Sequence, residues 1–169
     1  SVKNAYSLMH NSGIASHQKA QNKDKRVVLL TRSGFIGQQR YGSNTWSGDV
    51  MSTWEMLEKQ IPAALNYTLM GIPNWNSDIG GFFANHWNEG GGARNPRFQE
   101  LYVRWMQFGT FCPMMRSHGT EVPREIWNFG ERGDWCFDAQ ERMINLRYRL
   151  LPYIYSTSWD VSHNDGTFM

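Results

Sequence analysis

The sequence has few cysteines and no long apolar run. Cys112 and Cys136 are its two cysteines in 169 residues, and their spacing is not the CxxC of a metal or redox motif. From the sequence they can be free thiols or a disulfide. No apolar run reaches the ~18 residues that a membrane-spanning helix needs, so we predict no membrane partner. The chain starts at Ser1 without a leader-like segment. We expect both ends to lie within a longer protein, so the sequence indicates no compartment.

A strong charge of either sign is also absent. The formal net charge of +2 gives no signature of binding to nucleic acid or to an anionic membrane. Arginines adjoin aromatics at Arg97-Phe98 and Arg104-Trp105, but these positions fall on a predicted helix whose aromatics face inward. Four histidines lack the spacing of metal ligands: His10, His17, His86 and His163. We therefore predict no nucleic-acid partner, no metal and no other cofactor.

Aromatic residues, in contrast, are abundant. They make up 14% of the chain and include eight tryptophans. Aromatic side chains supply much of the buried area of a core, and they also stack on flat apolar faces of ligands such as sugars. With 40% hydrophobic residues, the chain can form one ordinary domain or a piece of a larger one.

Short apolar segments alternate with amphipathic ones, the pattern of a parallel α/β sheet. Residues 26–31 contain a continuous run of Val and Leu flanked by Arg26 and Thr31, which predicts a strand buried on both faces. Further strands are predicted to end near 46–49 and to cover 72–79 and 110–115. Roughly three βα units in a row fit this pattern.

Capping residues and apolar spacing predict the helices. Residues 2–20 are moderately periodic, and Ser52 with Glu55 forms a capping box at the start of a second helix. Asn95-Pro96 starts a third helix, and Asp138 with Glu141 caps the last. The predicted buried faces are Trp54, Leu57, Ile61 and Leu65 in the second helix, which Gly71 ends, and Phe98, Leu101, Trp105 and Phe108 in the third.

Polar residues interrupt the apolar pattern at the end of each predicted strand. They are Arg32, Asp49, Asp78, Arg116 and His118. In parallel α/β folds, functional residues collect at the carboxyl ends of the strands, where the loops converge. These five residues therefore form the candidate site.

Seven segments carry a family resemblance. They are RSGF at 32–35, QQRY at 38–41, WSGD at 46–49, GIPNW at 71–75, DIGGF at 78–82, MRSH at 115–118 and LRYRLLPY at 146–153. In this order and spacing they resemble glycoside hydrolase family 31. The resemblance implies an α/β fold that is part of a (β/α)8 TIM barrel, roughly its last four βα units.

The resemblance also implies an activity and the roles of seven residues. Family members cleave terminal non-reducing α-linked glucose, xylose or galactose with retention of configuration, through a covalent glycosyl-enzyme intermediate. Asp49 matches the general acid/base. The matching sugar-binding residues are Arg32, Trp46, Asp78, Phe82, Arg116 and His118. The residues themselves also allow a turn aspartate at Asp49, structural arginines paired with the aspartates at Arg32 and Arg116, and a core histidine at His118.

The family's nucleophile has no counterpart in this sequence. It lies upstream of the helix that residues 2–20 resemble, and Asp24, the one acidic residue before Asp49, sits in a charged turn. We therefore expect residues 1–169 to be a fragment of a single catalytic barrel domain, inactive alone, with the upstream half-barrel and flanking β-domains outside it. The wording at 38–41 and 111–113 favours α-xylosides over α-glucosides as the carbohydrate substrate. A non-catalytic carbohydrate-binding relative is the alternative, and the oligomeric state is left open.

Overall fold

A computed structural model describes residues 3–168 and contains a parallel three-stranded sheet. Its strands, which are neighbours in chain order, are β1 (Leu29–Thr31), β2 (Ser43–Trp46) and β3 (Trp75–Asn76). Leu29 lies opposite Ser43, and Thr45 lies opposite Trp75. An isolated parallel bridge between Ile79 and Ser117 extends the arrangement. All carboxyl ends therefore point to one edge of the sheet.

Helices connect and flank these strands. They are α1 (Tyr6–Gln21), α2 (Trp54–Leu69), α3 (Pro96–Gly109), α4 (Ile126–Phe129) and α5 (Trp135–His163), with short 3-10 helices at Gln38–Tyr41, Asn85–Gly90 and Gly92–Arg94. The helix predicted at 2–20 is confirmed from Tyr6 onward, and Val2 lies outside the described residues. Among the described residues, no helix combines the length and the apolar character needed to cross a membrane.

Helix α3 is the centre of the hydrophobic core. Phe98, Leu101 and Trp105 are fully buried, as predicted, and Phe108 packs against them partly buried. Fully burying a side chain of this kind contributes roughly 1.5–3 kcal/mol. Asn95 caps the helix as predicted, since its Oδ1 accepts from the backbone N–H of Arg97 at 3.0 Å.

The capping box predicted for α2 is wrong. Thr53 is the cap, and its Oγ1 accepts from the backbone N–H of Met56 at 3.2 Å. Ser52 is buried, and its Oγ accepts from the Nε1 of Trp87 at 2.9 Å. A tertiary contact therefore uses the hydroxyl that the local pattern assigned to the helix.

Two predicted buried faces are open in the described chain. Helix α2 buries Leu57, Gln60 and Ala64, so the prediction that Trp54 belongs to the core is wrong. Trp54, Ile61 and Leu65 are 48, 48 and 45% exposed. Strand β1 buries Leu29 but leaves Leu30 39% exposed, and Val28, which was predicted to belong to this strand, lies just before it and is 67% exposed. Periodicity reveals an apolar stripe, but it does not reveal whether a neighbouring element covers that stripe.

The strand predicted at 110–115 is also wrong, because the segment folds as a turn. The guanidinium of Arg147 from α5 donates to three of its carbonyls, those of Thr110 at 2.9 Å, Cys112 at 2.6 Å and Pro113 at 2.8 Å. These bonds take the place of a strand ladder, in which Pro113 has no N–H to contribute.

The start of α5 differs from its prediction as well. The helix begins at Trp135, and Asp138 accepts from the backbone N–H of Gly133 at 3.1 Å, just before the helix. Glu141 pairs with Arg132 at 2.6 Å instead of capping. Both cysteines are free and buried.

Candidate active site

Asp49 lies just after β2 and pairs with Arg32, which follows β1. Arg32 Nη2 is 2.6 Å from Asp49 Oδ2, and the two side chains are 59 and 28% exposed. Gly48 makes the approach possible, because it has a φ of 81° and a Cβ at that position would lie 3.1 Å from Arg32 Nε. This carboxylate therefore has a fixed partner and access to solvent.

Asp78 lies after β3 and pairs with Arg116 in a buried setting. Arg116 Nη1 is 2.7 Å from Asp78 Oδ1, and the Asp78 side chain has no exposed surface. Its second oxygen, Oδ2, has no hydrogen-bond partner among the described residues. Burial raises the pKa of Asp78, whereas the charges of Arg116, His118 and Arg124 lower it. The charge of Asp49 raises this pKa as well, so the two carboxyl groups interact.

Trp46 stands between the two ion pairs. The guanidinium carbons of Arg32 and Arg116 are 5.9 and 5.6 Å from the centre of its indole ring. Both distances are within the range of cation–π attraction. The indole therefore joins both arginines to one aromatic wall.

Phe82 and His118 form the far side of the site. Their ring centres are 5.4 Å apart with planes inclined at 44°. His118 is exposed, so the alternative of a core histidine is wrong. All seven residues predicted for the site thus lie along one edge of the sheet, linked by these contacts and by the interaction of His118 with Asp78.

Two supporting residues escaped the sequence-based prediction. Arg124 donates from Nη1 to the carbonyl of Ile79 at 2.9 Å and from Nη2 to the carbonyl of Phe82 at 3.2 Å. The hydroxyl of Tyr102 is 2.7 Å from the Oγ of Ser117. Helical spacing marks Tyr102 as a core residue only. The sequence does carry one signal of Arg124, because Gly80 follows Asp78 and Gly119 follows His118, and glycines at such positions indicate that a bulky group packs against the backbone.

The arrangement offers an accessible carboxylate beside a buried, partly unpaired one. An accessible carboxylate, Asp49, can exchange a proton, while the free Oδ2 of Asp78 can accept a hydrogen bond from a ligand. Among residues 3–168, no group of three His, Cys, Asp or Glu side chains is arranged to hold a metal ion.

Comparison with known families identifies the domain. The sequence profile of the "Glycosyl hydrolases family 31 TIM-barrel domain" matches residues 1–157. The chain belongs to glycoside hydrolase family 31. The prediction that it forms part of a (β/α)8 barrel is thereby confirmed, since the matched domain is a TIM barrel and the described residues form consecutive βα units.

Similar family 31 members include xylosidases and glucosidases. The chain is 46% identical over 159 residues to an α-xylosidase of Saccharolobus solfataricus, covering 92% of this chain and 20% of that protein. It is 36% identical to the lysosomal α-glucosidase of Bos taurus, covering 90% of this chain and 15% of that protein. The crystal structure of an α-xylosidase from Xanthomonas citri superposes with a TM-score of 0.91 at 41% identity, covering 96% of this chain and 18% of that one. The chain thus spans between 15 and 20% of the length of these relatives.

Proposed function

We propose that the full-length protein containing this chain is a retaining glycoside hydrolase that cleaves terminal non-reducing α-linked sugars. Asp49 is its general acid/base, α-xylosides are its favoured substrates, and α-glucosides come next. Family membership supports the reaction class. The similarity to α-xylosidases from two organisms supports the order of preference.

The observation that carries the proposal is the pair of ion-paired aspartates on either side of Trp46. Asp49 is 28% exposed, whereas Asp78 is fully buried against Arg116. Retaining hydrolysis needs a proton donor and a nucleophile whose carboxyl groups are about 5–5.5 Å apart. Asp78 is enclosed and bound by Arg116, whereas Asp49 is open to solvent, so we assign proton transfer to Asp49. We therefore assign the nucleophile to a segment upstream of this chain, in the same catalytic barrel.

The proposed sugar subsite surrounds the buried pair. Asp78 accepts from a sugar hydroxyl through its free Oδ2, and Arg116 and His118 contribute hydrogen bonds to the same ring. Trp46 and Phe82 wall the pocket and exclude water from it. No metal or cofactor enters the reaction, because the leaving group is activated by a proton.

Asp49 acts twice in this scheme. In the first step the nucleophile bonds to the anomeric carbon, the glycosidic C–O bond breaks, and protonated Asp49 gives its proton to the leaving oxygen. In the second step a water oxygen bonds to the anomeric carbon while ionised Asp49 takes a proton from that water. The C–O bond between the sugar and the nucleophile breaks, which releases the sugar and regenerates the nucleophile's carboxylate and protonated Asp49. Arg32 holds the Asp49 carboxylate in place through the 2.6 Å ion pair.

The test is Asp49→Ala in the full-length protein. Hydrolysis of α-xylosides with poor leaving groups should fall by roughly 10²–10⁴-fold, the usual contribution of general acid catalysis. An aryl α-xyloside with a very acidic leaving group needs little protonation, so its first step should be spared. Azide should restore turnover, since it attacks the intermediate without a base. Asp134→Ala is the matched control, because Asp134 also pairs with an exposed arginine, Arg94, but outside the site.

Equal losses on both leaving groups would reject Asp49 as the acid/base. A wild-type protein that binds xylose without cleaving any glycoside would favour the alternative, a carbohydrate-binding relative of the same fold.

A further inference from the structure

Arg124 is a buried cation whose place in the site the proposed reaction does not explain. It is 8% exposed, and no carboxylate of the described residues lies within ion-pair distance of it. Its guanidinium instead donates to the carbonyls of Ile79 and Phe82 and lies 5.9 Å from the ring of Phe98. Burying a charge is costly, and these bonds to the loop between Asp78 and Phe82 offset that cost.

Two glycines make room for this guanidinium. A Cβ at Gly119 would lie 2.2 Å from Arg124 Nη2, and a Cβ at Gly80 would lie 2.9 Å from Nη1. Gly80 also has a φ of 87°, a conformation that residues with side chains rarely adopt. One glycine belongs to the loop after Asp78 and the other to the loop after His118. Arg124 is therefore packed between the two loops.

Backbone bonds join the same two loops. The N–H of Ile79 donates to the carbonyl of Arg116 at 3.1 Å, and the N–H of Thr120 donates to the carbonyl of Phe82 at 2.9 Å. The Phe82 carbonyl thus accepts from both Thr120 and Arg124. Tyr102 adds a further link, since its hydroxyl contacts Ser117 and donates to the carbonyl of Arg124 at 3.3 Å.

We propose that Arg124 is a positioning residue for the sugar subsite, holding the loop of Asp78 and Phe82 in register with the loop of Arg116 and His118. This role rests on the proposed function, because it concerns the residues that bind the sugar. Arg124 reaches the substrate only through these loops. Its charge has a second effect, because it lowers the pKa of Asp78 against the influence of burial and so favours the ionised form.

The kinetic test compares three variants of the full-length protein. Arg124→Met removes both hydrogen bonds and the charge, Arg124→Lys keeps the charge, and Gln99→Met is the matched control. Gln99 is also buried and donates to two carbonyls, those of Ala93 and Phe129, at 3.0 and 2.9 Å. All variants are assayed with an aryl α-xyloside at a temperature at which each is folded.

Arg124→Met should lower kcat/KM about 10- to 100-fold, mainly through kcat, since a misplacement of about 1 Å can cost roughly 100-fold. The acidic limb of its pH profile should move to higher pH, because loss of the cation raises the pKa of Asp78. Arg124→Lys should restore the limb to its wild-type position, and Gln99→Met should leave it unmoved. An equal loss in Gln99→Met, or a kcat of Arg124→Met equal to that of the wild type, would overturn the proposal.

Hydrogen exchange tests the same role without an assay of activity. In Arg124→Met, amides of residues 79–83 and of Thr120 should exchange roughly tenfold faster than in Gln99→Met, because two hydrogen bonds to this loop are lost. Unchanged exchange there would overturn the positioning role. A wild-type protein with no glycosidase activity would reject the proposed function, and exchange would still decide whether Arg124 holds the loops.

Gly119→Ala covers the case in which Arg124→Met does not fold. The added methyl group displaces the guanidinium without removing it, so the same changes in kcat and exchange should appear at smaller size. Wild-type behaviour in a folded Gly119→Ala variant would contradict the proposal.

Discussion

The two Arg–Asp pairs beside Trp46 have nearly the same length but opposite exposure. Arg32 and Asp49 meet at 2.6 Å near solvent, while Arg116 and Asp78 meet at 2.7 Å with the carboxylate fully buried. An exposed pair gains little energy because water screens it, so its carboxylate is held only weakly by its partner. A buried pair depends on its partner, since a lone charge there is costly. The same chemical pair is therefore open to solvent at one strand end and enclosed at the next.

The prediction with the largest expected effect is complete loss of hydrolysis in the isolated chain, and it tests the contrast between Asp49 and Asp78. We expect the 169-residue polypeptide, purified alone and monodisperse, to show no hydrolysis of any aryl α-glycoside, because Asp78 is held by Arg116 and is not a free nucleophile. Discontinuous assay over days gives the necessary sensitivity. Turnover that disappears with Asp78→Asn would mean that Asp49 and Asp78 are themselves the catalytic pair.

Loss of the sugar-holding residues should have the next largest effect. Hydroxyl contacts strengthen as the ring flattens toward the transition state. In the full-length protein, Asp78→Ala and His118→Ala should each lower kcat/KM by about 100-fold, with kcat reduced and KM raised. Steady-state kinetics with near-UV circular dichroism as a folding control measures this. An effect on KM alone would mean that Asp78 and His118 bind the sugar only in the ground state and do not stabilise the transition state.

Replacing Arg32 and Arg116 one at a time tests whether the buried ion pair contributes more to the free energy of unfolding than the exposed one. Arg116→Met leaves a buried carboxylate unpaired, so it should lower the stability of the barrel by about 3 kcal/mol. Arg32→Met, its matched exposed counterpart, should cost no more than about 1 kcal/mol. Thermal and denaturant unfolding of the full-length protein measures both. Similar losses of unfolding free energy in Arg116→Met and Arg32→Met would show that burial of Asp78 does not make its ion pair more important for stability than that of Asp49.

The pH dependence of Arg116→Met has a definite sign. Burial raises the pKa of Asp78 and Arg116 lowers it, so loss of Arg116 raises this pKa further. A protonated Asp78 stabilises the folded state, and that stability is lost as the pH rises through the raised pKa. The deficit of Arg116→Met against wild type should therefore widen with rising pH and nearly vanish in acid. A deficit that does not vary with pH would contradict this sign.

The smallest expected effect is the choice of sugar. Xylose is glucose without the exocyclic CH₂OH, and a difference of this size in a pocket is worth only about 1–3 kcal/mol. We expect the full-length protein to prefer an α-xyloside over the matching α-glucoside by roughly tenfold or more in kcat/KM. A side-by-side assay with one leaving group decides the order. An α-glucoside preference would change the substrate and leave the contrast between the two aspartates intact.

Local sequence located the strand ends that bring the candidate residues together, but it located the surrounding elements less well. Asp49 and Asp78 stand out because each follows a short apolar segment, and that signal survives errors in strand length. The strand at 110–115 was predicted from apolar residues alone. In the structure, three of the carbonyls of this segment accept from Arg147, which lies 34 to 37 residues further along the chain. Such a contact leaves no trace in local periodicity.

Tertiary competition explains the other errors. Ser52 has the right residue type for a cap, but its hydroxyl accepts from Trp87, and Thr53 caps α2 instead. Arg124 escaped notice for a related reason. A single arginine after a proline has no distinguishing pattern, and its partners are backbone carbonyls about 40 residues earlier, the kind of acceptor that every residue offers.

The three bonds from Arg147 also define which parts of the chain can be exchanged between relatives. A chimaera that imports residues 110–118 from another family member, but keeps a helix lacking this arginine, would leave three carbonyls without their donor. The smallest transferable module on this side of the barrel is therefore the segment from Thr110 through Arg147. Shuffling breakpoints before 110 and after 147 should give soluble hybrids more often than breakpoints inside that interval.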